Sequence, residues 1–252
     1  MKSPYKPLIV SALYDIGRGS WNTFQRDIED YLHWTSRLLA IDCEKIIYTE
    51  SKLVPRLQAY NPKKTVIKEQ AKETLSSTYL FGERIINVMG SPSFKQKIKY
   101  DVPEMTQPWY NLLMLNKLWW MIDAVNHVDA THLIWTDAWC YRENLNHYTQ
   151  PWPNHWKLSS QPLFFSHHLN FSISDYEQHC LGQWRYIQGG CFIIPKNHLS
   201  QIATKYLFLI MKSLDAGYIG SDEKFLDFLY LENSNSIQIT KCNWREYFDV
   251  LL

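Results

Sequence analysis

The sequence is short of features that would place it quickly, and each shortage excludes something. Cys43, Cys140, Cys180, Cys191 and Cys242 are odd in number, widely spaced and free of any CxxC pair, which argues against a disulfide framework and a structural zinc site and favours a reducing compartment. Excess charge of one sign is missing too. Twenty-six basic residues stand against 25 acidic ones, for a formal net charge of +1, so nothing draws the whole chain to nucleic acid, although Lys95 to Lys99 form a local basic stretch. No apolar run approaches the roughly 20 residues that a membrane-spanning helix needs. The opening MKSPYKPLIVSALYDIG meets Asp15 and Arg18 too early for a signal peptide. A cytoplasmic globular chain of 252 residues is expected, long enough to bury its core as one domain.

What is plentiful is aromatic: 11 Trp, 16 Tyr and 11 Phe make up 15% of the chain. Indole and phenol rings join a flat apolar face to a polar tip, which suits sugars and nucleobases. A large core is the plainer explanation.

The order of elements reads as α/β. PLIVSALY (7–14) is a buried strand opening into a loop with Asp15, Gly17 and Gly19. Phe24, Ile28, Tyr31, Leu32, Thr35, Leu38 and Leu39 keep the spacing of one buried helix face. KIIYTE (45–50) is the next strand, a helical segment covers about 51–60, and TVIK is a short strand. Gly82, Gly90, Pro92 and Pro103 break up the stretch 69–107, where the pattern commits to little. From Pro108 to about His127 runs a helix apolar on nearly every side, central to any fold that holds it. THLIWTD (131–137), LFFSHHLNFSI (163–173), IQGGCFII (187–194) and SIQITK (236–241) read as strands, with helices over about 197–216 and 222–232. This order predicts a mixed sheet flanked by helices, and in such sheets ligands bind beyond the carboxyl ends of the strands.

Asp15 and Asp137 both fall at such ends. A carboxylate held there by a buried strand, between Trp135 and Trp139, can meet a cation or a ribose hydroxyl, or it can simply accept backbone hydrogen bonds in the following turn. Lys117 has Leu113, Met114, Trp120 and Met121 one turn away. Buried among them it needs an anion, either a ligand phosphate or a carboxylate such as Asp15 or Asp137; otherwise its tip reaches solvent. Gly189-Gly190 inside an apolar strand implies close approach of a ligand or of a packed helix. Ser221-Asp222-Glu223 opens a helix, where Ser221 fits the N-cap and the acids suit the helix dipole. Facing the same cleft as Asp137, that turn also offers a general base. His167 and His168 point to opposite faces of a strand, so no zinc site is expected.

SALYDIGRGSW, IIYTE, NKLWWMIDAV, LIWTDAW, IQGGCFI and SDEKFL, in that order, resemble the HtrL/YibB-like family of bacterial proteins over roughly residues 8–248. The resemblance implies a glycosyltransferase of lipopolysaccharide or capsule gene clusters with a GT-A, Rossmann-like fold. Residues 1–252 would form one domain, with a nucleotide-sugar half over about 1–140 and an acceptor half over about 141–252. Tyr14 and Asp15 would meet the nucleoside, and Gly189 and Gly190 the sugar or acceptor. Trp135, beside Asp137, would line the donor side. Such enzymes hold Mn²⁺ or Mg²⁺ with a DxD motif at a strand end. Here the matching positions read Asp137-Ala138-Trp139. The second acid is missing, so either Asp137 binds the metal together with phosphate and water, or Lys117 and Arg18 supply the positive charge. Asp222-Glu223 matches the place of the base in inverting enzymes, and some retaining relatives carry an Asp-Gln pair there. Inversion is favoured, with Glu223 as the base because its longer chain reaches away from the helix terminus.

The expected partners are a UDP-linked sugar donor and a lipid-linked glycan acceptor at the inner face of the inner membrane, with no nucleic acid. The alternative from the same fold is a non-catalytic glycan- or nucleotide-binding protein. A nucleotidyltransferase is a more distant one, since Gly17-Arg18-Gly19 matches a phosphate loop only faintly.

Overall fold

A computed structural model of the chain describes residues 5–22, 25–141 and 152–252. The apolar runs become β1 (Pro7–Leu13), β2 (Glu44–Thr49), β3 (Thr65–Glu69), β4 (His132–Thr136), β5 (Leu163–Ser166), β6 (Ile187–Pro195) and β7 (Gln238–Lys241). Between and after them lie α1 (Ile28–Ala40), α2 (Val54–Gln58), α3 (Ser76–Gly90), α4 (Pro92–Lys97), α5 (Pro103–Thr106), α6 (Pro108–Leu115), α7 (Lys117–Ala124), α8 (Tyr176–Leu181), α9 (Lys196–Asp215), α10 (Asp222–Glu232) and α11 (Tyr247–Val250).

The strands form one seven-stranded sheet in the order β3-β2-β1-β4-β6-β5-β7. β3, β2, β1 and β4 are parallel, and β6 runs against both β4 and β5. This is the mixed α/β sheet flanked by helices that the element order predicts. Alternation along each strand feeds two cores. Leu8, Val10, Leu133 and Trp135 pack beneath α3, α6, α7, α9 and α10, while Ile9, Leu13, Ile134 and Ile193 face α1, α2 and α11.

Three expectations need correction. The long apolar helix is interrupted: α6 ends at Leu115 and α7 begins at Lys117, with Asn116 between them at φ −82°, ψ −4°. The cause is a distant serine. Ser77 Oγ donates to Leu112 O at 2.6 Å, taking the carbonyl that the Asn116 N–H would bond in a continuous helix, and that N–H turns to Leu113 O instead. The Asn116 side chain completes the joint by accepting from Ser77 N at 3.1 Å. β5 stops at Ser166 rather than running to residue 173, because Ser166 Oγ donates to His168 O at 2.6 Å and curls the chain out of the ladder. The helix at 51–60 begins as a 3₁₀ turn, Ser51–Leu53, before α2. Phe24, expected on the buried face of α1, lies outside the described residues.

Candidate active site

β6 runs opposite to β4, so its first half meets the carboxyl end of β4, and Asp137 N donates to Gly190 O at 2.8 Å. The end of β1, the turn after β4, the glycines of β6 and the start of α10 therefore enclose one cleft of about 590 Å³. The residues that the sequence offers for catalysis and donor binding line it: Tyr14, Asp15, Arg18, Lys117, Trp135 and Asp137, together with Gly189, Gly190, Asp222 and Glu223.

At its floor sits Lys117, 2% exposed. Its ammonium lies 3.0 Å from Asp137 Oδ1 and 2.7 Å from Asp222 Oδ2, and donates to Gly189 O at 2.9 Å. The anion that the burial of Lys117 demands is thus two carboxylates, of which Asp137 was expected and Asp222 was not. Asp15 is not among them. Burial pulls the lysine pKa down, but Asp137 and Asp222 more than reverse this and hold it above the ordinary value. Burial pushes Asp137 up, against the pull of Lys117, as follows when two carboxylates share one cation. Trp135 Nε1 donates to Asp137 Oδ1 at 2.8 Å, and its ring stacks on Trp120 with centroids 5.6 Å apart. The two flanking tryptophans therefore differ: Trp135 holds the carboxylate from within, while Trp139 is half-buried at the cleft wall.

Gly189 is explained by α10. A Cβ on it would stand 2.2 Å from Asp222 Oδ2 and 2.9 Å from Glu223 Cγ, so only glycine lets the start of the helix settle on β6. At Gly190 the close neighbours are Cys140 Sγ and Tyr247. Of the two approaches left open for these glycines, packed protein occupies the Cβ position. Ser221 takes the N-cap position of α10, but its side chain makes no cap hydrogen bond.

Glu223 faces the cleft one residue on. Its Oε1 accepts from Gly189 N at 3.3 Å, and its Oε2 lies 3.1 Å from Arg185, which also reaches Glu104 at 3.6 Å. Burial pushes the Glu223 carboxyl up to about 7, with Arg185 opposing and Asp222 adding to the rise. A carboxyl that titrates near neutrality can both take and release a proton.

The donor-side residues have internal partners. The Asp15 carboxylate accepts from Gly17 N at 2.9 Å and meets Lys52 at 3.0 Å, which hold it below the usual carboxylate range. Tyr14 is buried and stacks on Trp120 at 5.7 Å. Arg18 donates to Tyr31 Oη at 2.7 Å and lies over the rings of Trp21, Tyr31 and Tyr110.

Among the described residues, those around Asp137 do not fit a divalent metal. Asp137 Oδ1 already receives Lys117 and Trp135, and a dication beside it would meet the ammonium. Position 139 is an indole, and Asp222 is held by the same lysine. Among the described residues no group of three His, Cys, Asp or Glu is placed to hold an ion.

Sequence reasoning missed Arg26, Glu104, Tyr110, His167 and Arg185, all of which line the cleft. Glu104 lies in the broken segment where the pattern is uninformative. Arg26 had a readable signal: the two arginines Arg18 and Arg26 are interspersed with aromatics, Trp21, Phe24, Tyr31 and Trp34. Among the described residues no helix is long and apolar enough to cross a membrane.

Three solved structures share low similarity with this one. Mouse xyloside xylosyltransferase 1 in its apo form has a TM-score of 0.46 at 11% identity, covering 98% of this chain and 92% of its own. The galactosyltransferase LgtC, solved with donor and acceptor sugar analogs, has a TM-score of 0.46 at 10% identity, covering 92% of this chain and 73% of its own. The 4-diphosphocytidyl-2C-methyl-D-erythritol synthase of Anaerococcus prevotii DSM 20548 has a TM-score of 0.45 at 9% identity, covering 96% and 90%. In sequence, Protein HtrL of Escherichia coli (strain K12) is 23% identical over 260 residues, spanning 96% of this chain and 90% of that protein. The family described as "Bacterial protein of unknown function (HtrL_YibB)" has a sequence model that matches residues 6–251, and the chain belongs to that family.

Proposed function

We propose that the protein is a glycosyltransferase that moves a sugar from a UDP-linked donor to a hydroxyl of a cell-surface glycan, with inversion at the anomeric carbon. The observation that carries the reading is the juxtaposition at the cleft floor: Glu223, whose carboxyl burial pushes up, stands beside the ion-paired Asp137–Lys117–Asp222 group at the strand ends. Glu223 takes the proton of the acceptor hydroxyl as its oxygen attacks the anomeric carbon. The bond from that carbon to the diphosphate breaks, and the nucleoside diphosphate leaves with the electron pair. Arg185 keeps the carboxylate turned to the cleft. Lys117 positions Asp137 and Asp222, whose carboxylates are suited to accept hydrogen bonds from sugar or ribose hydroxyls. The lipopolysaccharide or capsule acceptor at the inner face of the inner membrane comes from the family resemblance, and contact there would run through exposed aromatics and the basic stretch Lys95 to Lys99.

The test is a thermal-shift screen against nucleotide sugars, followed by turnover. One UDP-sugar is expected to raise the melting temperature of the wild type but not of Asp137→Ala. Release of UDP is expected to vanish in Glu223→Gln while donor binding survives. Binding without turnover in the wild type would make the protein a nucleotide- or glycan-binding member of the fold; no response to any nucleotide would remove the donor site altogether.

A further inference from the structure

The donor of the proposed reaction carries a diphosphate, and the cleft has to meet its charge. Lys117 is already engaged, because its ammonium is shared by two carboxylates and the carbonyl of Gly189. Two other cations line the same cleft. Arg18 sits in the 3₁₀ turn Arg18–Ser20, and Arg26 stands just before α1. The two are tied together: Arg26 N donates to Arg18 O at 3.4 Å, and Gln25 Nε2 donates to Gly19 O at 2.5 Å.

Aromatic rings surround both guanidinium groups. Arg18 lies 5.4 Å from the Trp21 ring and 5.9 Å from that of Tyr110, and Arg26 lies 5.9 Å from Trp34 and 5.7 Å from Trp139. Tyr31 and Trp34, whose rings meet edge to face at 5.5 Å, join the two arginines. Trp139 is the residue two places after Asp137, where the family resemblance would have put a second metal-binding acid. In its place the fold has an indole with an arginine over it.

We infer that Arg18 and Arg26 grip the diphosphate of the donor directly, and that Arg26 on Trp139 takes the place of a metal ion. This rests on the nucleotide-sugar reading above. A guanidinium suits the task, because it is always charged and its planar fork pairs with two phosphate oxygens at once. Stacking on aromatic rings holds that fork in position before the ligand arrives. Arg26 also lies over the ring of Trp139, two residues after Asp137, and there it would meet the charge that builds on the leaving diphosphate.

The experiment is titration of the full chain with UDP and with UMP, followed by isothermal calorimetry, in EDTA and in Mn²⁺. The expected result is UDP binding of equal affinity in both. Arg26→Met is expected to weaken UDP by about 10- to 100-fold, the cost of one charged hydrogen-bonded contact, and to weaken UMP less. Arg26→Lys, which keeps the charge but loses the fork, is expected to fall between. Arg18→Met repeats the test at the second arginine, and retained UMP binding shows that each variant is folded. UDP binding that needs Mn²⁺, or that is unchanged in both Arg→Met variants, overturns the inference and leaves the nucleotide reading standing. Absence of UDP and UMP binding by the wild type in either condition overturns both.

Discussion

Lys117→Met is the sharpest perturbation of the cleft floor, because it keeps the apolar stem and deletes only the charge. At an effective dielectric near 20, each contact of the ammonium with Asp137 and Asp222, at 3.0 and 2.7 Å, is worth about 6 kcal/mol of attraction. Taking three ions out of water costs several kcal/mol each, so the intact group contributes little net stability. Deleting the lysine is a different matter. It leaves two carboxylates, 7% and 3% exposed, facing each other without a counter-charge, and such a loss costs about 3–5 kcal/mol.

The pH dependence identifies the cause. In the variant Asp137, which burial already pushes up, loses the opposing pull of Lys117, so its folded pKa lies above the unfolded one and its contribution to stability is present below the unfolded value and lost as pH rises through the folded value. The deficit in urea unfolding followed by tryptophan fluorescence is therefore largest at about pH 8 and shrinks toward about pH 4, where carboxylates take up protons. Lys117→Met/Asp222→Asn removes one of the stranded charges and is expected to recover part of the loss. A deficit of equal size at both pH values, or a double variant less stable than the single one, would refute the electrostatic account and leave lost packing in its place.

Three further outcomes follow from the same geometry. Glu223 has its folded pKa raised from 4.5 to about 7, so its contribution to stability is full below 4.5 and lost as pH rises through 7. Glu223→Gln is thus expected to be more stable than the wild type at pH 8 and no more stable near pH 4, measured by urea unfolding. Gly189→Ala drives a methyl into Asp222 Oδ2, which Lys117 holds in place, and is expected to cost about 1–3 kcal/mol in the same assay; Gly189→Ala/Asp222→Ala recovers some of it. The five cysteines are all buried, and burial raises the pKa values of Cys43, Cys180, Cys191 and Cys242. A thiol reagent at neutral pH is expected to label none in the native protein and all five after unfolding.

Much of this fold was legible because its strands are short apolar runs closed by polar turns. The runs at 7–14, 45–50, 131–137 and 187–194 fall on β1, β2, β4 and β6, since strands buried on both faces need continuous Val, Ile and Leu. The break at Asn116 was not legible. It depends on the Ser77 hydroxyl reaching Leu112 O from another helix, and local periodicity carries no information about a partner 35 residues away. The same limit applies to β5, which Ser166 ends through its own hydroxyl.

At the cleft, the distinction between readable and unreadable residues follows from what makes a residue conspicuous. Lys117, Asp137 and Gly189 stood out because each is out of place in an apolar element, and the cost of burying charge or leaving out a side chain there demands a partner. The partners all converge on one point, with Asp222 touching Lys117 and filling the space above Gly189. Arg185 was inconspicuous for the opposite reason, and Arg26 showed only through its aromatic neighbours in the chain. Arginines in polar loops violate no rule of burial, and only the fold shows that one stacks on Trp139 and the other faces Glu223. The missing second acid and the unremarked arginine are one feature seen from two places in the chain. At position 139 the chain carries an indole where the resemblance implies a second acid, and Arg26 lies over its ring, so on the inference above charge that a metal would have carried on acids is carried by the protein itself.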